Sequence, residues 1–288
     1  MKILPFKIPQ SGDGAILLQT DNQPYFYDAL HQHPEIQISC ILQSSGTLFL
    51  GDYIDNFTPG DVFVIGSNIP HVFKNDPIYY AESSEVNAYM LTVFLSPTAL
   101  GKEFLKLPES AGLAEFIRMS KQGIKVHGTA REILVEMLTE IQSQDGLDRM
   151  ITFLNIIRII INAEESQTLS SHMIDFDVNE REGHRLNAVI RFTLNEYQRP
   201  ITLEEVAEIT NLSAPAFCRF FKKRTRKSYV SFLNELRIGK ACKLLLDKDL
   251  SISEICYNAG FKNISHFNRK FRAILGVTPS EYRKSHLI

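Results

Sequence analysis

The segment HQHPEIQ, residues 31–37, carries side chains that could bind a metal ion or a polar ligand. Side chains alternate between the two faces of a β-strand, so a strand here would place every second residue on one face. Those residues are His31, His33, Glu35 and Gln37. Imidazoles that converge on one cavity can hold a catalytic metal, hydrogen-bond a ligand or bond one another. The segment therefore predicts a site and leaves its chemistry open.

Charge is distributed unevenly along the 288 residues, although the formal net charge is only −2. Residues 181–288 carry 20 lysines and arginines against 10 acidic residues, whereas residues 1–180 carry 11 against 23. A basic back part joined to an acidic front part indicates that the back part meets a polyanion. The length and the 44% hydrophobic content allow two domains with separate cores.

The cysteine pattern and the apolar runs favour a cytoplasmic protein. Cys40, Cys218, Cys242 and Cys256 form no CxxC pair and have no histidine partners at zinc-finger spacing. The N-terminal segment lacks the apolar region of a signal peptide, and the longest apolar run, around FLNIIRIIINA, is short and contains Arg158. We therefore expect no contact with a membrane.

The hydrophobic pattern predicts an α+β protein of two domains. Up to residue 95, short segments rich in β-branched and aromatic residues, such as IQISCILQ and DVFVIG, predict a small antiparallel barrel or sandwich. From residue 97 to 166 the apolar period becomes helical. We therefore expect a first domain at residues 1–166, a polar and acidic linker at 167–183, and an all-α second domain at 184–288.

The helix predicted around LDRMITFLNIIRIIINAEE is apolar over most of its circumference. One seam consists of Met150, Leu154, Ile157 and Ile161, and the other of Phe153, Ile156 and Ile160. A helix with two apolar faces needs two partners, so we expect the seam that contains Met150 to contribute to a homodimer contact and the other seam to pack on the β-domain. The alternative is a helix wholly buried in its own domain.

A repeat in the back half predicts two helix-turn-helix units. The segment ITLEEVAEITNLS recurs 49 residues later, in outline, as LSISEICYNAGFKN. Thr202 with Glu205, and Ser251 with Glu254, have the spacing of capping boxes, which begin helices. Each first helix should therefore start directly after its threonine or serine.

The turn and the second helix of each unit also have matching signals. Asn211 and Gly260 fall where the chain must turn sharply, and both residue types tolerate a positive φ. After a one-residue insertion, Ser213 aligns with Asn263 as the N-cap of the second helix. The segment YVSFLNELRIGKACKLLLDK between the units has a continuous helical pattern, which would hold the two units at a fixed separation.

Residues 185–284 resemble the DNA-binding domain of the AraC/XylS family of bacterial transcription regulators. The closing segment NAGFKNISHFNRKFRAILGVTPSEYR is similar to the pattern that ends this domain in the family. The resemblance implies a regulator that binds specific sequences of double-stranded DNA. If the regulator is an activator, RNA polymerase is a further partner.

The spacing within each second helix predicts which side chains face the major groove. In the first unit these are Ala214, Pro215, Cys218, Arg219 and Lys222, and in the second unit Ile264, Ser265, Asn268, Arg269 and Arg272. Arginine can pair with guanine, asparagine with adenine, and a small apolar side chain can meet a thymine methyl group. Pro215 and Cys218 stand where the family often places larger polar or aromatic residues, so the first unit is the weaker reader of bases.

The front half resembles the cupin-type sensor barrel that many members of this family carry. The segments HQHPEIQISCILQSSGTLFLGD and FTPGDVFVIGSNIPHVFKND are similar to the two cupin motifs. The metal ligands of metal-bearing cupins correspond to His31, His33, Gln37 and His71 in this chain. Gln37 replaces the family's glutamate and removes the anionic ligand, which should weaken binding of a divalent metal.

The favoured prediction is a cupin-like pocket in which these side chains hydrogen-bond a small polar effector, such as a sugar or a sugar derivative. The expected effector-binding residues are His31, His33, Glu35, Gln37 and His71. The alternatives are a divalent metal at the same place, histidines retained for packing, and a metal-dependent cupin enzyme fused to a DNA-binding domain. We expect no catalytic residues and no required cofactor, because the carboxylate ligand is lost and the second domain already supplies an output.

Overall fold

The computed structural model describes residues 14–286 apart from 82–85, 99, 102 and 171–179. Contacts divide the chain into two units, the first up to residue 178 and the second from residue 179, except that residues 54–56 are grouped with the second. The first unit contains β-strands and helices, and the second is helical.

Nine strands of the first unit form two sheets across the described residues. They are β1 (Ile16–Gln23), β2 (Ile36–Gln43), β3 (Gly46–Leu50), β4 (Tyr53–Phe57), β5 (Val62–Ile65), β6 (His71–Asn75), β7 (Ala88–Leu95), β8 (Ile124–Val126) and β9 (Ser166–Thr168). The larger sheet is antiparallel and has the order β1-β7-β2-β5-β8-β9, and the smaller sheet has the order β4-β3-β6.

The central strands of the larger sheet, β2, β5 and β7, are buried on both faces. Val62 and Val64 of β5 lie in one core with helices α1 (Ala111–Ser120), α2 (Gly128–Glu140) and α3 (Gly146–Ile161). Phe63 and Ile65, which alternate with them, lie in a second core with residues of the smaller sheet. The two-residue period of a strand therefore assigns one face to the helices and the other to the smaller sheet.

The predicted cupin barrel is not closed. Closure would require hydrogen-bonded pairing across the sheet edges, but β1 and β9 are the edges of the larger sheet and β4 and β6 those of the smaller one. The prediction of a β-rich first domain is confirmed, whereas its barrel form is corrected to two sheets.

The predicted linker at 167–183 is shorter on both sides. Gln167 and Thr168 belong to β9, which pairs with β8 through backbone hydrogen bonds that do not require apolar side chains. At the other end, helix α4 (Glu180–Glu196) begins inside the predicted range. Residues 171–179 of the predicted linker lie outside the described residues.

The predicted dimer seam of α3 is mostly turned towards the core. Ile157 is only 3% exposed, and Met150 and Ile161 pack against the same apolar cluster. Leu154, in contrast, is 40% exposed. The buried sector of α3 is wider than expected because α3 packs against both α1 and α2.

The exposed apolar residues of α3 form another stripe. Leu147, Ile151 and Leu154 are 73%, 48% and 40% exposed, and their spacing of four and three residues places them on one face of the helix. The seam of Phe153, Ile156 and Ile160 lies in the core as predicted. The alternative of a wholly buried helix is therefore wrong within this unit.

The second unit contains the two predicted helix-turn-helix units. Its helices are α4, α5 (Leu203–Ile209), α6 (Ala214–Thr225), α7 (Tyr229–Leu245), α8 (Ile252–Asn258), α9 (Ile264–Leu275) and α10 (Pro279–His286). Helices α5 and α6 form the first helix-turn-helix unit, and α8 and α9 form the second. Helix α7 is the continuous helix predicted between them.

The predicted capping boxes and turns are confirmed. Thr202 and Ser251 each accept a hydrogen bond from the backbone N–H three residues on, and the glutamate at that position accepts from the N-cap backbone N–H. Asn211 has φ 53° and Gly260 has φ 88°, as expected for the sharp turns. The chain therefore begins and ends its first helices where local signals predict.

The N-caps of the second helices differ. The Asn263 side-chain oxygen accepts from the His266 N–H at 3.0 Å, whereas Ser213 occupies the N-cap position without a side-chain capping bond. Pro215 lies at the second position of α6 and has no N–H, so one of the two donors that a cap can use is lost.

Replacing Gly260 by alanine is expected to destabilise the protein more than replacing Asn211 by alanine. A Cβ at position 260 would lie 2.2 Å from the Tyr197 carbonyl oxygen. The positive φ alone costs about 1–2 kcal/mol for a non-glycine residue, and the overlap adds to this cost. Asn211 already carries a Cβ at positive φ, so Asn211→Ala should cost no more than about 1 kcal/mol. Thermal unfolding measures the difference, and equal losses of Tm would contradict the expected need for glycine.

Candidate DNA interface and effector site

The two second helices, α6 and α9, each bury one aromatic face. Phe217 and Phe221 of α6, and Phe267 and Phe271 of α9, are fully buried. Phe221 also contacts Phe232 of α7 edge to face, with ring centroids 5.1 Å apart. Because these side chains fix the inner face of each helix, the residues between them must point outward.

The residues predicted to read DNA lie on the outer face. Pro215, Cys218, Arg219 and Lys222 of α6 are exposed, and Ala214 is half-buried. In α9 the exposed residues are Ile264, Ser265, Asn268, Arg269 and Arg272. Helix α9 therefore presents two guanidinium groups and a carboxamide, which can form hydrogen bonds to base edges or phosphates.

A cleft at the start of α9 includes His266, which the sequence pattern did not indicate. Lys262, Asn263 and His266 line it together with two predicted residues, Ser265 and Arg269. Partial burial lowers the pKa of His266, and the nearby positive charge of Arg269 acts in the same direction. A neutral imidazole at a helix N-terminus can donate or accept a hydrogen bond. Its position three residues after the N-cap Asn263 was the available signal.

The prediction that the segment HQHPEIQ forms one strand is wrong. Strand β2 begins at Ile36, and His31 pairs through an isolated backbone bridge with His71 of β6. Pro34 lies between the two parts and has no N–H for a strand ladder. The side chains meet because the chain turns before β2, rather than because they alternate along a strand.

The three histidines nevertheless converge, together with Gln37. The ring centroids of His31 and His71 are 4.3 Å apart, and those of His33 and His71 are 5.1 Å apart. All three imidazoles are buried, and Gln37 is only 4% exposed. Glu35 lies at the edge of this group, with a carboxylate oxygen 3.6 Å from His33 Nδ1.

Backbone carbonyl oxygens determine which nitrogen of each imidazole carries the proton. Nδ1 lies 2.9 Å from the Ala29 oxygen in His31, 3.0 Å from the Glu35 oxygen in His33 and 2.7 Å from the Ile69 oxygen in His71. A carbonyl oxygen only accepts, so each Nδ1 donates. Burial lowers the pKa of all three histidines, to about 4 for His31, and they are neutral at pH 7. Each Nε2 is therefore an acceptor.

The Gln37 carboxamide satisfies two of these acceptors. Gln37 Oε1 is placed 3.0 Å from Nε2 of both His33 and His71, and Gln37 Nε2 is placed 2.7 Å from the Ser39 hydroxyl. An amide oxygen and two imidazole acceptors cannot bond one another, and the two ends of a carboxamide have nearly the same shape, so we infer that the amide is turned over. Its NH₂ group then donates to both imidazoles, and its oxygen accepts from Ser39. The Ser39 hydroxyl in turn lies 3.0 Å from that of Thr92, which extends the chain of bonds to β7.

With the amide turned over, the hydrogen bonds of Gln37 oppose binding of a divalent metal. The three histidines offer ligand nitrogens within 4.8 Å of one another, which is a suitable donor set for zinc. However, Gln37 bonds two of those nitrogens, and its neutral amide supplies no negative charge to a cation. A metal would need the Gln37 side chain to leave both histidines.

A small cavity of about 60 Å³ lies beside this group, between the two sheets. Its polar lining includes Gln19 and Asp21 of β1, His31, and Gln37. His33, Glu35 and His71, which were predicted to bind the effector, are not among the residues that line it. The predicted pocket residues thus divide into two at the cavity and three in the hydrogen-bonded group around it.

The strand register explains the residues that sequence reasoning missed. Gln19 lies opposite Thr92, and Asp21 opposite Met90, where β1 pairs with β7. Thr92 also lies opposite Ser39 of β2. A polar residue inside each apolar strand segment was the available signal, but only strand pairing aligns these residues.

The comparisons with known proteins agree with the helical half. Residues 206–285 match the family described as a helix-turn-helix domain. The chain is 24% identical over 272 residues to the uncharacterized HTH-type transcriptional regulator YdeC of Bacillus subtilis, covering 90% of this chain and 87% of the relative. It is 23% identical over 265 residues to the HTH-type transcriptional activator RhaR of Pectobacterium atrosepticum, covering 92% and 88%. A solved AraC-type regulator from Chromobacterium violaceum matches at 24% identity and a TM-score of 0.34, covering 36% of this chain and 92% of that one.

The match to the helix-turn-helix family spans both predicted units, from α5 to α10. The protein is a transcriptional regulator whose C-terminal unit is an AraC-type helix-turn-helix DNA-binding domain. Across the part of the chain that the structure describes, no helix combines the length and the apolar character needed to cross a membrane.

Replacing Gln37 by glutamate is expected to create a zinc site. The carboxylate has no donor for His33 and His71, but it supplies the anionic fourth ligand beside three imidazoles. Purified Gln37→Glu protein should keep one zinc ion per chain after dialysis and gain thermal stability on zinc addition. Gln37→Met, which removes the hydrogen bonds without adding charge, is the matched control and should not gain zinc. Equal retention of zinc by the unmodified protein would contradict the role given to Gln37.

Proposed function

We propose that this protein is a ligand-responsive regulator that binds a specific double-stranded DNA site as a homodimer. Its second unit reads the DNA, and its first unit senses a small polar effector and holds two copies together. The exposed faces of α6 and α9 carry the proposal, because they present basic and amide side chains from two units of the same design. Two such units separated by one helix can enter successive stretches of the major groove.

Base readout by the second helix-turn-helix unit is stronger than base readout by the first. Asn268 and Arg269 are exposed on α9 and are long enough to reach base edges. On α6, Arg219 has the same outward position, but its neighbours Pro215 and Cys218 offer weaker hydrogen-bonding chemistry. We therefore assign most base discrimination to α9 and a larger share of phosphate contact to α6.

Sensing is assigned to the cavity beside Gln37 and His31. A hydrogen-bonded group next to a cavity is suited to holding a polar ligand in one orientation. A sugar or sugar derivative is the class expected from the sequence, and it must enter a cavity of about 60 Å³. We infer that the ligand is returned unchanged, since the amide at Gln37 is neither a nucleophile nor a general base. The enzyme alternative would require turnover of the ligand.

Activation is the proposed outcome of sensing, with RNA polymerase as the partner. The relative from Pectobacterium atrosepticum is named as a transcriptional activator, and its similarity spans 92% of this chain. An effector can change transcription only if it favours one conformation of the regulator over another.

Dimerisation is assigned to the exposed stripe of α3. Leu147, Ile151 and Leu154 form an apolar surface that water would otherwise cover. Burying such side chains against a second copy stabilises the contact by roughly 25 cal/mol per Å² of apolar surface. This stripe replaces the seam predicted from the sequence.

Replacing Arg269 by alanine should weaken binding to the cognate site by about 1–3 kcal/mol and relax preference at one base pair. The reason is the loss of a bidentate donor at a base edge. A cognate duplex is first selected from a random pool, and mobility shifts then compare it with random DNA. Lys270→Ala is the matched control. Lys270 lies on α9 but outside the predicted base-reading residues, so we expect it to contact phosphate, and its loss should weaken both duplexes equally. Equal losses for Arg269→Ala would contradict base reading by Arg269.

Changing Leu147 and Ile151 to aspartate should give folded monomers, because two charges cannot be buried unpaired in an apolar contact. Sedimentation velocity measures the oligomeric state, and circular dichroism checks the fold. Leu246→Asp, at an exposed apolar position in the second unit, is the control and should leave dimers intact. A double variant that stays dimeric would place the dimer contact elsewhere.

A further inference from the structure

The cavity between the two sheets has a distinct charge. Asp21 is the carboxylate among its lining residues, and neither lysine nor arginine is included in that lining. Among the ion pairs of the described residues, none involves Asp21. An anionic ligand would therefore meet a like charge without a compensating cation.

Asp21 is held by an amide rather than by a cation. Gln19 Nε2 donates to both carboxylate oxygens, at 2.8 Å and 2.9 Å. Burial raises the pKa of Asp21, and the bond from Gln19 offsets this only in part. A positive charge placed beside the carboxylate would favour its ionised form.

The side-chain oxygen of Gln19 is a second hydrogen-bond acceptor near Asp21. Because its NH₂ group is turned to Asp21, its oxygen Oε1 faces away from that bond. Oε1 is buried and has no hydrogen-bond partner among the described residues. A buried acceptor without a donor costs free energy. Because this oxygen is enclosed, a ligand in the cavity reaches it only if the Gln19 side chain turns.

His31 also lines the cavity. It is neutral and donates through Nδ1 to the Ala29 oxygen, so its Nε2 accepts. Asp21 is therefore the charged residue of the lining, and its carboxylate favours a ligand with N–H donors.

Aromatic rings form much of the remaining wall. Phe26, Tyr27, Phe73 and Phe94 line the cavity. The face of an aromatic ring carries partial negative charge and attracts a cation. Rings beside a carboxylate therefore favour a positively charged group over a neutral hydroxyl.

The volume limits the ligand further. A cavity needs about 10–15 Å³ of such space to hold one water molecule, so a cavity of about 60 Å³ is small. It therefore favours a ligand of a few non-hydrogen atoms over a whole sugar ring with its hydroxyl groups.

We propose that this cavity binds a small protonated amine, whose ammonium group donates to the Asp21 carboxylate, and that such an amine is the effector. The regulatory part of this assignment rests on the proposed function, whereas the binding part does not. The amine class replaces the sugar class expected from the sequence.

The binding part is tested by titrating purified full-length protein in a calorimeter with ethanolamine, ethylene glycol and glycolate. These are a cation, a neutral molecule and an anion of nearly the same size. Ethanolamine should bind at least roughly tenfold more tightly than either of the others. Equal binding of the three probes, tighter binding of glycolate, or no binding of ethanolamine overturns the proposal.

Two variants locate the site. Asp21→Asn keeps the shape of the side chain, removes its charge, and should weaken ethanolamine binding roughly tenfold or more. Asp247→Asn, at an exposed position in the second unit, is the matched control and should bind as the unmodified protein does. Unchanged affinity in Asp21→Asn overturns the assignment. The melting temperature of each variant shows that it is folded.

The regulatory part is tested by transcription in vitro from a promoter that carries the selected DNA site. Ethanolamine should change the transcript level with the unmodified protein and not with Asp21→Asn. Binding of ethanolamine without any change in transcription overturns its role as the effector class. Failure of the ligand-free protein to bind specific DNA would be a different result, since it contradicts the proposed function and leaves the calorimetric binding intact.

Discussion

The central strands of the larger sheet are buried on both faces, so each polar side chain on their inner face needs a hydrogen-bond partner inside the protein. The helices cover one face with apolar side chains, and that face needs no such partners. On the other face, Gln37, Ser39 and Thr92 bond one another and the histidines. The chemistry of the first unit follows from how completely this requirement is met.

The requirement for hydrogen-bond partners is met around Gln37 but not around Gln19 and Asp21. Around Gln37, two donors of one amide match two imidazole acceptors, and the result is a rigid neutral group. Around Gln19 and Asp21, an amide oxygen has no donor among the described residues and a carboxylate has no cation. A ligand can therefore donate hydrogen bonds beside Asp21, whereas at Gln37 it would have to break existing hydrogen bonds.

The second unit obeys a different constraint, which is the close packing of short helices across a tight turn. Each helix-turn-helix unit buries two phenylalanines from its second helix, α6 or α9, and this burial sets which side chains face outward. The two copies tolerate different turn residues because their surroundings differ. Asn211 fits with its Cβ, whereas at Gly260 a Cβ would overlap the Tyr197 carbonyl oxygen. The repeated design is thus maintained by local packing rather than by identical residues.

The sequence by itself determined the helix-turn-helix units, because capping boxes, turns and helix faces depend on residues within a few positions of one another. Thr202 with Glu205 and Ser251 with Glu254 act over three residues, and the structure bears them out. It also indicated that His31, His33, Gln37 and His71 belong together, through a resemblance between motifs. Tertiary structure decided the rest. Whether Gln37 faces a metal or bonds two histidines depends on the approach of His71, which lies in another sheet.

The same distinction applies to the cavity and to α3. Asp21 and Thr92 come from strands that are far apart in the sequence and are aligned only by the pairing of β1 with β7. Helix α3 has apolar residues around most of its circumference, so its sequence could not show which stripe α1 and α2 would leave exposed. Strand register and helix packing are long-range choices. They are set by the burial of whole surfaces, which no short segment of the chain encodes.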